Sequence, residues 1–527
     1  MSRVGERSLG QVDRVELILV AAVSIAFALP LALSPFVPGG DTPWHAAVIA
    51  VLAERDPDRF LGLFEADRGF GSYVAVYQLL ALVARATGAA AAVQIFCALC
   101  VAGTVWAARA MARSFGADGA VALLAAPAAY STTLEFGFLV YLPTLPLTLW
   151  LWALVRTVMQ EGARPGRVIA LAAAWLGICL CHAFAAAIAG LGAVLLCLCE
   201  LSRERRARAA LVAAVLISGA APAALALASV SEGAPRLPGL DAAPLWDRLT
   251  TQVFTPPLES IARAPFHLIG FIGEPWRHAM VAALVAVAVA WRLAAPPAQP
   301  PDRPASRRSA LYLCLLLAAL YLVTPFTFEW PRNWYGAQPR LLPLLWVAGL
   351  VALRPGISSW PRAAALAVSA AVLICLELQA LLPYAREARD LSSVLAHSPE
   401  RARTLGLIEQ RPAVDREPPD WFRNATGWLV AERGGFASHL PIAQAGGLNS
   451  GQHIPVHLAA GASLPVAPPL GFARAFRWQR HAAGWDQFLV RDLDPARPLD
   501  HFAGHEAEVT EVARAGRWRL VRRLAVE

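Results

Sequence analysis

The sequence predicts an all-α polytopic membrane domain followed by a small soluble α+β domain. Hydrophobic residues make up 57% of the 527 residues, and charged residues make up only 16%. Apolar runs near the ~20 residues needed to cross a bilayer recur along the first part of the chain. Beyond about residue 385 the composition becomes polar. We therefore place a membrane domain at residues 1–384 and an extracytoplasmic soluble domain at residues 385–527.

About eleven apolar runs are candidates for transmembrane helices. Arginine clusters separate them, and short loops rich in basic residues stay in the cytoplasm. All of these clusters fall on the cytoplasmic side if the N-terminus is cytoplasmic and the C-terminal domain lies outside. The spans are placed near residues 17–36, 89–108, 118–134, 138–156, 168–181, 183–200, 209–230, 278–292, 309–326, 340–353 and 363–383.

The segment at residues 73–84 is apolar but short for a full span. It is interpreted as a juxtamembrane piece, a re-entrant piece or a tilted span, and these alternatives stay open. Counting it as a span would change the topology around residues 73–108.

The polar C-terminal region carries the patterns of both helices and strands. Helical patterns occur at residues 384–397 and 420–432, and short strand-like runs occur at 404–408, 487–490 and 518–524. With about 140 residues, the region is long enough to bury a core of its own.

Composition and motifs argue against several classes of function. The net charge is +8, but every Lys or Arg position is Arg, and the Arg pattern fits a topology signal better than nucleic-acid binding. The chain has no Walker A loop, dinucleotide fingerprint, HExxH or GxSxG motif, so ATP-driven transport and serine hydrolysis are unsupported. All eight Cys lie in apolar segments, where packing explains them better than metal binding or disulfides.

Asp41 is the candidate catalytic residue. It follows the first apolar run, within the sequence GGDTPWH at residues 39–45. Thr42 and Pro43 are typical of an N-cap and a first helical position, which would leave the Asp41 carboxylate outside the cap and free to act. In the alternative interpretation Asp41 only helps to start the helix. His45 would project near Asp41, and the spacing of Trp44 with later apolar residues favours a helix lying in the membrane interface.

Four further polar residues are predicted at the outer ends of spans, where such groups usually line a cavity. Glu135 lies in a short outer turn, and His182 interrupts a long apolar stretch. Arg332 and Arg340 lie on either side of residues 333–336, and Arg340 opens a late span. Each also has a structural explanation. Glu135 would be a solvated turn residue, His182 a packed histidine, and the arginines residues that reach lipid headgroups.

The chain resembles the GT-C-type membrane glycosyltransferases, which take a sugar from a polyprenyl-phosphate carrier on the outer face of the membrane. The resemblance rests on the GGDTPWH segment, the acid at 135, the histidine at 182 and the arginine at 340, together with many helices followed by an outer domain. It covers residues 10–380 in architecture. It implies a GT-C-like fold in the bacterial cytoplasmic (inner) membrane.

The resemblance also implies roles for these residues. Asp41 would be the catalytic base in the first outer loop, residues 37–72, with Glu135 and His45 assisting. Asp41 and Glu135 would hold a divalent cation, Mg²⁺ or Mn²⁺. Substrate binding would fall to Trp44, His182, Arg332 and Arg340. The chain has one acid at position 41 rather than an adjacent pair, and this departs from the family pattern.

The predicted partners are a polyprenyl-phosphate-linked sugar, a glycan, lipid or protein acceptor, and the lipid bilayer, with no nucleic acid. The alternative function is a non-enzymatic membrane protein: a transporter, a flippase or a scaffold for envelope assembly. A transporter would place charge near the midplane in related halves. A third alternative is an inactive protein that keeps the same fold.

Overall fold

The computed structural model describes residues 3–66, 72–202, 205–231, 255–268, 279–283, 285–287, 304–328, 334–353, 360–410, 421–440, 454–469, 473–494, 496 and 500–524. The chain divides into two compact units. The first unit comprises residues 1–29, 98–133 and 140–379, and the second comprises residues 30–97, 134–139 and 380–527. Of the predicted span at 278–292, residues 278, 284 and 288–292 lie outside the described residues.

The first unit is helical. Its helices include most of α1 (Arg3–Ala32) and α4 (Ala89–Ser114), with α5 (Val121–Ala125), α7 (Thr144–Glu161), α8 (Pro165–Cys181), α9 (Ala183–Cys199) and α10 (Arg206–Ser231). Further along the chain come α11 (Pro257–Leu268), α12 (Pro304–Val323), α13 (Leu342–Leu353) and the first part of α14 (Trp360–Leu395). Helix α6 (Thr132–Glu135) spans the division between the units.

The outer faces of these helices are apolar. Ile18, Ile169 and Ile217 are 67%, 69% and 70% exposed, and Leu198 and Leu315 are also exposed. A soluble protein rarely leaves so many large aliphatic side chains in water, whereas a bilayer accepts them. The exposed aliphatic faces therefore fit a membrane environment.

A buried arginine of the first unit is paired with a buried acid. Arg156 of α7 is fully buried, and it donates to the buried Glu200 carboxylate and, at 3.2 Å, to the Ser309 hydroxyl. A guanidinium removed from water without such partners would be strongly destabilising. This pairing joins α7 to the ends of α9 and α12.

The prediction of about eleven spans is not confirmed. Among the described residues, two helices are long and apolar enough to cross a membrane, at Arg14–Ala32 and Ala89–Ser114, and several apolar helices are shorter. The predicted span at 118–134 is wrong as a continuous helix. Residues Ala126–Tyr130 form a 3₁₀ turn between α5 and α6, since Pro127 cannot continue the α-helical hydrogen bonding.

The short segment after the first outer loop forms one helix, α3 (Val74–Thr87). At 1.5 Å per residue, its 14 residues reach about 21 Å, less than the ~30 Å of a hydrocarbon core. Gly88 ends it in a positive-φ conformation, and α4 begins at the next residue. The helix is therefore too short to span the core by itself.

The C-terminal region contains a five-stranded sheet in the order β5-β4-β7-β9-β8. Strands β4 (Arg403–Ile408), β5 (Phe436–Ala437) and β7 (Gln487–Arg491) are parallel, while β8 (Val509–Ala515) and β9 (Trp518–Arg523) continue the sheet antiparallel. The strands predicted at 404–408, 487–490 and 518–524 are confirmed. Helix α15 (Thr426–Arg433) corresponds to the predicted helical pattern at 420–432, and a short helix, α16 (Trp478–His481), precedes β7.

The first outer loop belongs to the same compact unit as the sheet. Strand β1 (Phe64–Ala66) of the loop pairs antiparallel with β6 (Val456–Leu458) of the C-terminal region. The first segment of this unit begins within α1 and ends within α4, and its last segment begins within α14 at Ala380. The domain boundary predicted at residue 384, which also lies inside α14, stays a prediction. Strands β2 (Thr327–Phe328) and β3 (Trp334–Tyr335) form a separate hairpin in the first unit.

Helix α2 (Thr42–Ala53) is buried on every side from its first residue to Leu52. Helix α2 therefore has no exposed apolar face, because α3 and α15 pack against it. Its position in the membrane interface stays a prediction. The approach of α15 is close. A Cβ atom on Gly427 would lie 2.7 Å from the backbone nitrogen of Trp44 and against the backbone carbonyl of Pro43. Phe36, which precedes α2, stacks on Trp428 with ring centroids 4.7 Å apart.

We expect Gly427→Ala to separate α2 from α15, because the added methyl group has only backbone atoms to displace. Overpacking of this kind costs about 1–3 kcal/mol, so the apparent Tm of the protein in nanodiscs should fall. The matched control is Gly166→Ala, since nothing lies within 4 Å of a Cβ at that position in α8. Equal melting temperatures for the two variants would contradict the close packing.

Candidate functional site

The first outer loop and the turn at residues 134–139 are joined through their backbones. The Gly40 N–H donates to the Glu135 carbonyl and the Asp41 N–H donates to the Phe136 carbonyl, both at 3.0 Å. The Gly137 N–H closes the turn by donating to Leu134 at 2.9 Å. These bonds set the position of Asp41 relative to the turn.

Two glycines make this approach possible. Gly39 and Gly137 have φ angles of +146° and +77°, which side-chain-bearing residues rarely adopt. A Cβ on Gly137 would lie 2.6 Å from the Thr42 nitrogen and 2.9 Å from the Asp41 nitrogen. Any larger residue there would push the turn away from the start of α2.

Asp41 itself is the N-cap residue of α2, and its carbonyl accepts from the His45 N–H at 3.2 Å. The prediction that Thr42 is the cap is therefore wrong by one residue, because Thr42 already has helical geometry. The Asp41 side chain makes no capping hydrogen bond. The carboxylate therefore takes no part in capping, as expected, although Asp41 is the N-cap residue through its backbone.

Two side chains donate to the Asp41 carboxylate. The Asn424 amide lies 3.3 Å from Oδ1, and the Trp44 indole also donates a hydrogen bond. The carboxylate keeps some exposed surface but is closely surrounded by protein. Burial raises the pKa of Asp41 to about 6, while the Trp44 bond and the charge of Arg423 act in the opposite direction. Near pH 7 the group is therefore ionised and still basic enough to accept a proton.

His45 is buried beside Asp41 and serves the architecture of the loop. Its Nδ1 lies 2.6 Å from the Tyr77 hydroxyl, and its ring donates to the Gly137 carbonyl. Burial lowers the pKa of His45 to about 3, with the Gly137 bond opposing the shift. The ring is therefore neutral, with Nδ1 accepting from Tyr77. It stacks on the Trp44 ring at 3.7 Å and ties α2 to α3 and to the turn.

Glu135 is fully buried at the end of α6. The alternative of a solvated turn carboxylate is therefore wrong. Its carbonyl accepts a hydrogen bond from the Gly40 N–H, so Glu135 and Asp41 lie on adjacent, hydrogen-bonded segments of the chain.

The predicted cation site at Asp41 and Glu135 depends on the donor groups that the described residues supply. Among them, no group of three or more His, Cys, Asp or Glu side chains is arranged to hold a metal ion. Around Asp41 the structure instead supplies N–H donors, from Asn424 and Trp44. A Mg²⁺ or Mn²⁺ ion at Asp41 and Glu135 stays a prediction, and no chemical step is derived from it.

A second polar cluster lies in the first unit. His182 stands in extended conformation between α8 and α9, and its Nε2 accepts a hydrogen bond from Arg340 Nη1 at 2.9 Å. A guanidinium can only donate, so the proton of the neutral ring is on Nδ1. Tyr141 lies beneath the guanidinium, 4.8 Å from Cζ to the ring centroid, and meets the His182 ring edge-on at 5.1 Å. Both His182 and Arg340 are buried.

The structure thus groups Asp41, Trp44, His45 and Glu135 in the second unit, and His182 with Arg340 in the first. Arg332 lies outside the described residues. Sequence reasoning missed Asn424, Tyr77 and Tyr141. Tyr77 and Tyr141 lie in apolar runs, where a tyrosine is most simply explained as a packing residue. No local sequence pattern relates Asn424 to Asp41, which lies 383 positions earlier.

Comparison with known proteins identifies the fold. No known protein-family profile matches the chain, and no characterised protein matches it by sequence. The chain is similar to the crystal structure of ArnT from Cupriavidus metallidurans bound to undecaprenyl phosphate, with a TM-score of 0.53 and 14% identity over 96% of this chain and 97% of ArnT. The apo structure of the same ArnT gives a TM-score of 0.53, 13% identity and 98% coverage of both chains. ArnT is a GT-C glycosyltransferase, so the predicted GT-C fold is confirmed.

The raised pKa of Asp41 predicts a cost in stability. The folded protein holds this proton more tightly than the unfolded chain, whose carboxyl has the ordinary pKa of 3.8. Stability is therefore lost as the pH rises from about 4 to about 6. We expect Asp41→Asn to raise the free energy of unfolding by about 1–2 kcal/mol at pH 7.5, the shift being reduced by the exposed surface of the carboxylate.

The measurement is thermal unfolding of both proteins in nanodiscs between pH 4 and 8. The difference in Tm should shrink towards pH 4. Asp58→Asn, an exposed acid of the same loop, serves as the control. A constant difference at every pH, or none, would contradict the assignment of a raised pKa.

Proposed function

We propose that the protein is a glycosyltransferase of the bacterial cytoplasmic membrane that moves a sugar from a polyprenyl-phosphate donor to an acceptor at the outer face. The observation that carries this proposal is the Asp41 carboxylate. It is partly buried, its pKa is raised, and backbone hydrogen bonds hold its loop in place, in a chain with the GT-C fold. The ArnT neighbour is bound to undecaprenyl phosphate, which supports a polyprenyl-phosphate carrier for the donor.

In the proposed reaction, Asp41 takes the proton of the acceptor hydroxyl. The acceptor oxygen forms a bond to the anomeric carbon of the sugar while the bond from that carbon to the phosphate oxygen breaks. The polyprenyl phosphate leaves with the electron pair, and the sugar changes anomeric configuration. A carboxylate with a pKa near 6 suits the base role, because it is ionised at neutral pH and accepts a proton better than an ordinary aspartate.

Arg340 is the proposed ligand of the carrier phosphate. A guanidinium is always charged, and its planar fork matches two phosphate oxygens at once. His182 and Tyr141 fix its orientation, one through the 2.9 Å hydrogen bond and the other through its ring face. Positive charge held in this way stabilises the negative charge that develops on the leaving phosphate. Arg332 stays a predicted second ligand.

The remaining predicted residues have supporting roles in this proposal. His45 is neutral and bonded to Tyr77 and Gly137, so it holds the loop and the turn together. Trp44 donates to the base itself. Glu135 joins the loop through its backbone, and we propose that its buried side chain helps to orient the acceptor, which is a glycan, a lipid or a protein.

We expect Asp41→Asn to lower the rate of sugar transfer by about 10²–10⁴-fold, the usual contribution of a positioned base. In the wild type, the rate should fall as the pH drops below about 6, since protonated Asp41 cannot accept a proton. Release of polyprenyl phosphate from a labelled donor, in membranes that carry the native acceptor, measures both effects. Asp58→Asn is the control. An Asp41→Asn protein with wild-type rates would show that the base is assigned wrongly.

We expect Arg340→Ala to weaken binding of undecaprenyl phosphate roughly tenfold to a hundredfold, because hydrogen bonds to charged groups contribute about 1.5–3 kcal/mol. Arg340→Lys should recover part of the affinity, since it keeps the charge but loses the fork. Native mass spectrometry in nanodiscs gives the bound fraction. The control is Arg167→Ala, whose side chain pairs with Glu161 at the surface. Unchanged binding by Arg340→Ala would remove Arg340 from the phosphate site.

A further inference from the structure

Among the described residues, the C-terminal region contributes a hydrogen-bonding side chain to the Asp41 site. Asn424 lies in the turn that begins α15, and its side chain is buried. Its amide Nδ2 donates to the Gly40 carbonyl at 2.7 Å and to Asp41 Oδ1 at 3.3 Å. A primary amide has two N–H groups, so one donor can serve each acceptor.

This arrangement requires an asparagine in one orientation. Both acceptors face the nitrogen side of the amide, and the opposite flip would set the amide oxygen against two other oxygens. Aspartate would place a second negative charge about as far from Asp41 as the amide is now, and leucine would offer no donor. Among side chains of this size, the neutral amide is the one that satisfies both acceptors.

The turn that carries Asn424 has little freedom to move. The Asn424 carbonyl accepts from the Gly427 N–H at 2.8 Å, which closes the turn. Gly427 in turn lies against the Pro43 carbonyl, next to the Asp41 cap. Packing therefore holds the amide at the base with an accuracy that a flexible surface residue would lack.

Among the described residues, three segments place charged or titratable groups near Asp41. Arg423, adjacent to Asn424, acts on Asp41 through its positive charge. The Tyr77 hydroxyl of α3 lies close enough to interact with Asp41 electrostatically. His45, on the same helix as Asp41, is neutral. The turn at 423–424 thus supplies both a hydrogen-bond donor and a positive charge.

We propose that Asn424 is a positioning residue for the Asp41 base, so that the C-terminal domain completes the catalytic loop. The amide fixes the loop through Gly40 and orients the carboxylate through Oδ1. This inference rests on the proposed function, in which Asp41 is the base. It adds that the soluble domain is a structural part of the site, and that moving its α15 turn would release the base from its working orientation.

The test uses the full-length protein in nanodiscs with Asn424→Ala and Asn424→Asp. We expect Asn424→Ala to lower kcat roughly tenfold to a hundredfold with little change in KM for the lipid donor, because a misplaced base slows the chemical step. The pH below which activity falls should rise, since the ionised form of Asp41 loses a donor. Asn424→Asp should raise it further, because two carboxylates would then compete for one proton.

Thr426→Val is the matched control. Thr426 is buried in the same turn and donates to the Ser438 carbonyl at 3.0 Å, away from Asp41. It should lower the apparent Tm without moving the pH profile. If Asn424→Ala behaves as Thr426→Val does, with an unchanged pH profile, Asn424 has a structural role only and the proposal is overturned.

A second measurement does not depend on activity. Infrared pH-difference spectra report the carboxyl stretch of Asp41 as the band that is missing in Asp41→Asn. Its midpoint should lie near pH 6 in the wild type, and higher in both Asn424 variants. Unshifted midpoints would refute the proposal even if the variants were less active. If Asp41→Asn were fully active, the proposed function would fail instead, whatever the infrared midpoints show.

Discussion

The backbone bonds between the first outer loop and the turn at 134–139 are the constraint on which the candidate site depends. Two N–H groups, of Gly40 and Asp41, meet two consecutive carbonyls at 3.0 Å. This contact requires glycine at 39 and 137, where any Cβ would strike backbone. Because the bonds involve main-chain atoms, they place Asp41 and Glu135 side by side whatever conformations their side chains adopt.

The second unit is assembled from pieces far apart in the sequence. Helices α2 and α3, the short turn and the C-terminal sheet share one compact body, and β1 of the loop pairs with β6 some 390 positions later. A loop that must hold a reactive carboxylate steady gains from this arrangement, because its mobility is limited by packed elements on several sides. The C-terminal region is therefore integrated with the loop through strand pairing, helix packing and the Asn424 side chain.

Burial sets the chemistry of the ionisable groups in this unit. It pushes Asp41 and His45 in opposite directions, so the acid becomes more basic and the imidazole stays uncharged. The neutral ring can then accept from one neighbour and donate to another, which is what tying the loop together requires. Raising the pKa of an acid in the fold lowers stability at neutral pH, and such a cost is typical of sites kept for function rather than for stability.

The sequence alone was sufficient for the polytopic class, for three of the strands and for the resemblance to a GT-C fold, because hydrophobic run length and alternation are local properties. It also singled out Asp41, since a lone acid after an apolar helix is visible by inspection. It misplaced the cap by one residue, because cap geometry depends on dihedral angles that Thr42-Pro43 did not determine. It did not show that α2 is buried by protein, because only the tertiary structure brings α15 against it. Asn424 was unpredictable for the same reason: its partners are chosen by packing across almost the whole chain, and no local pattern records them.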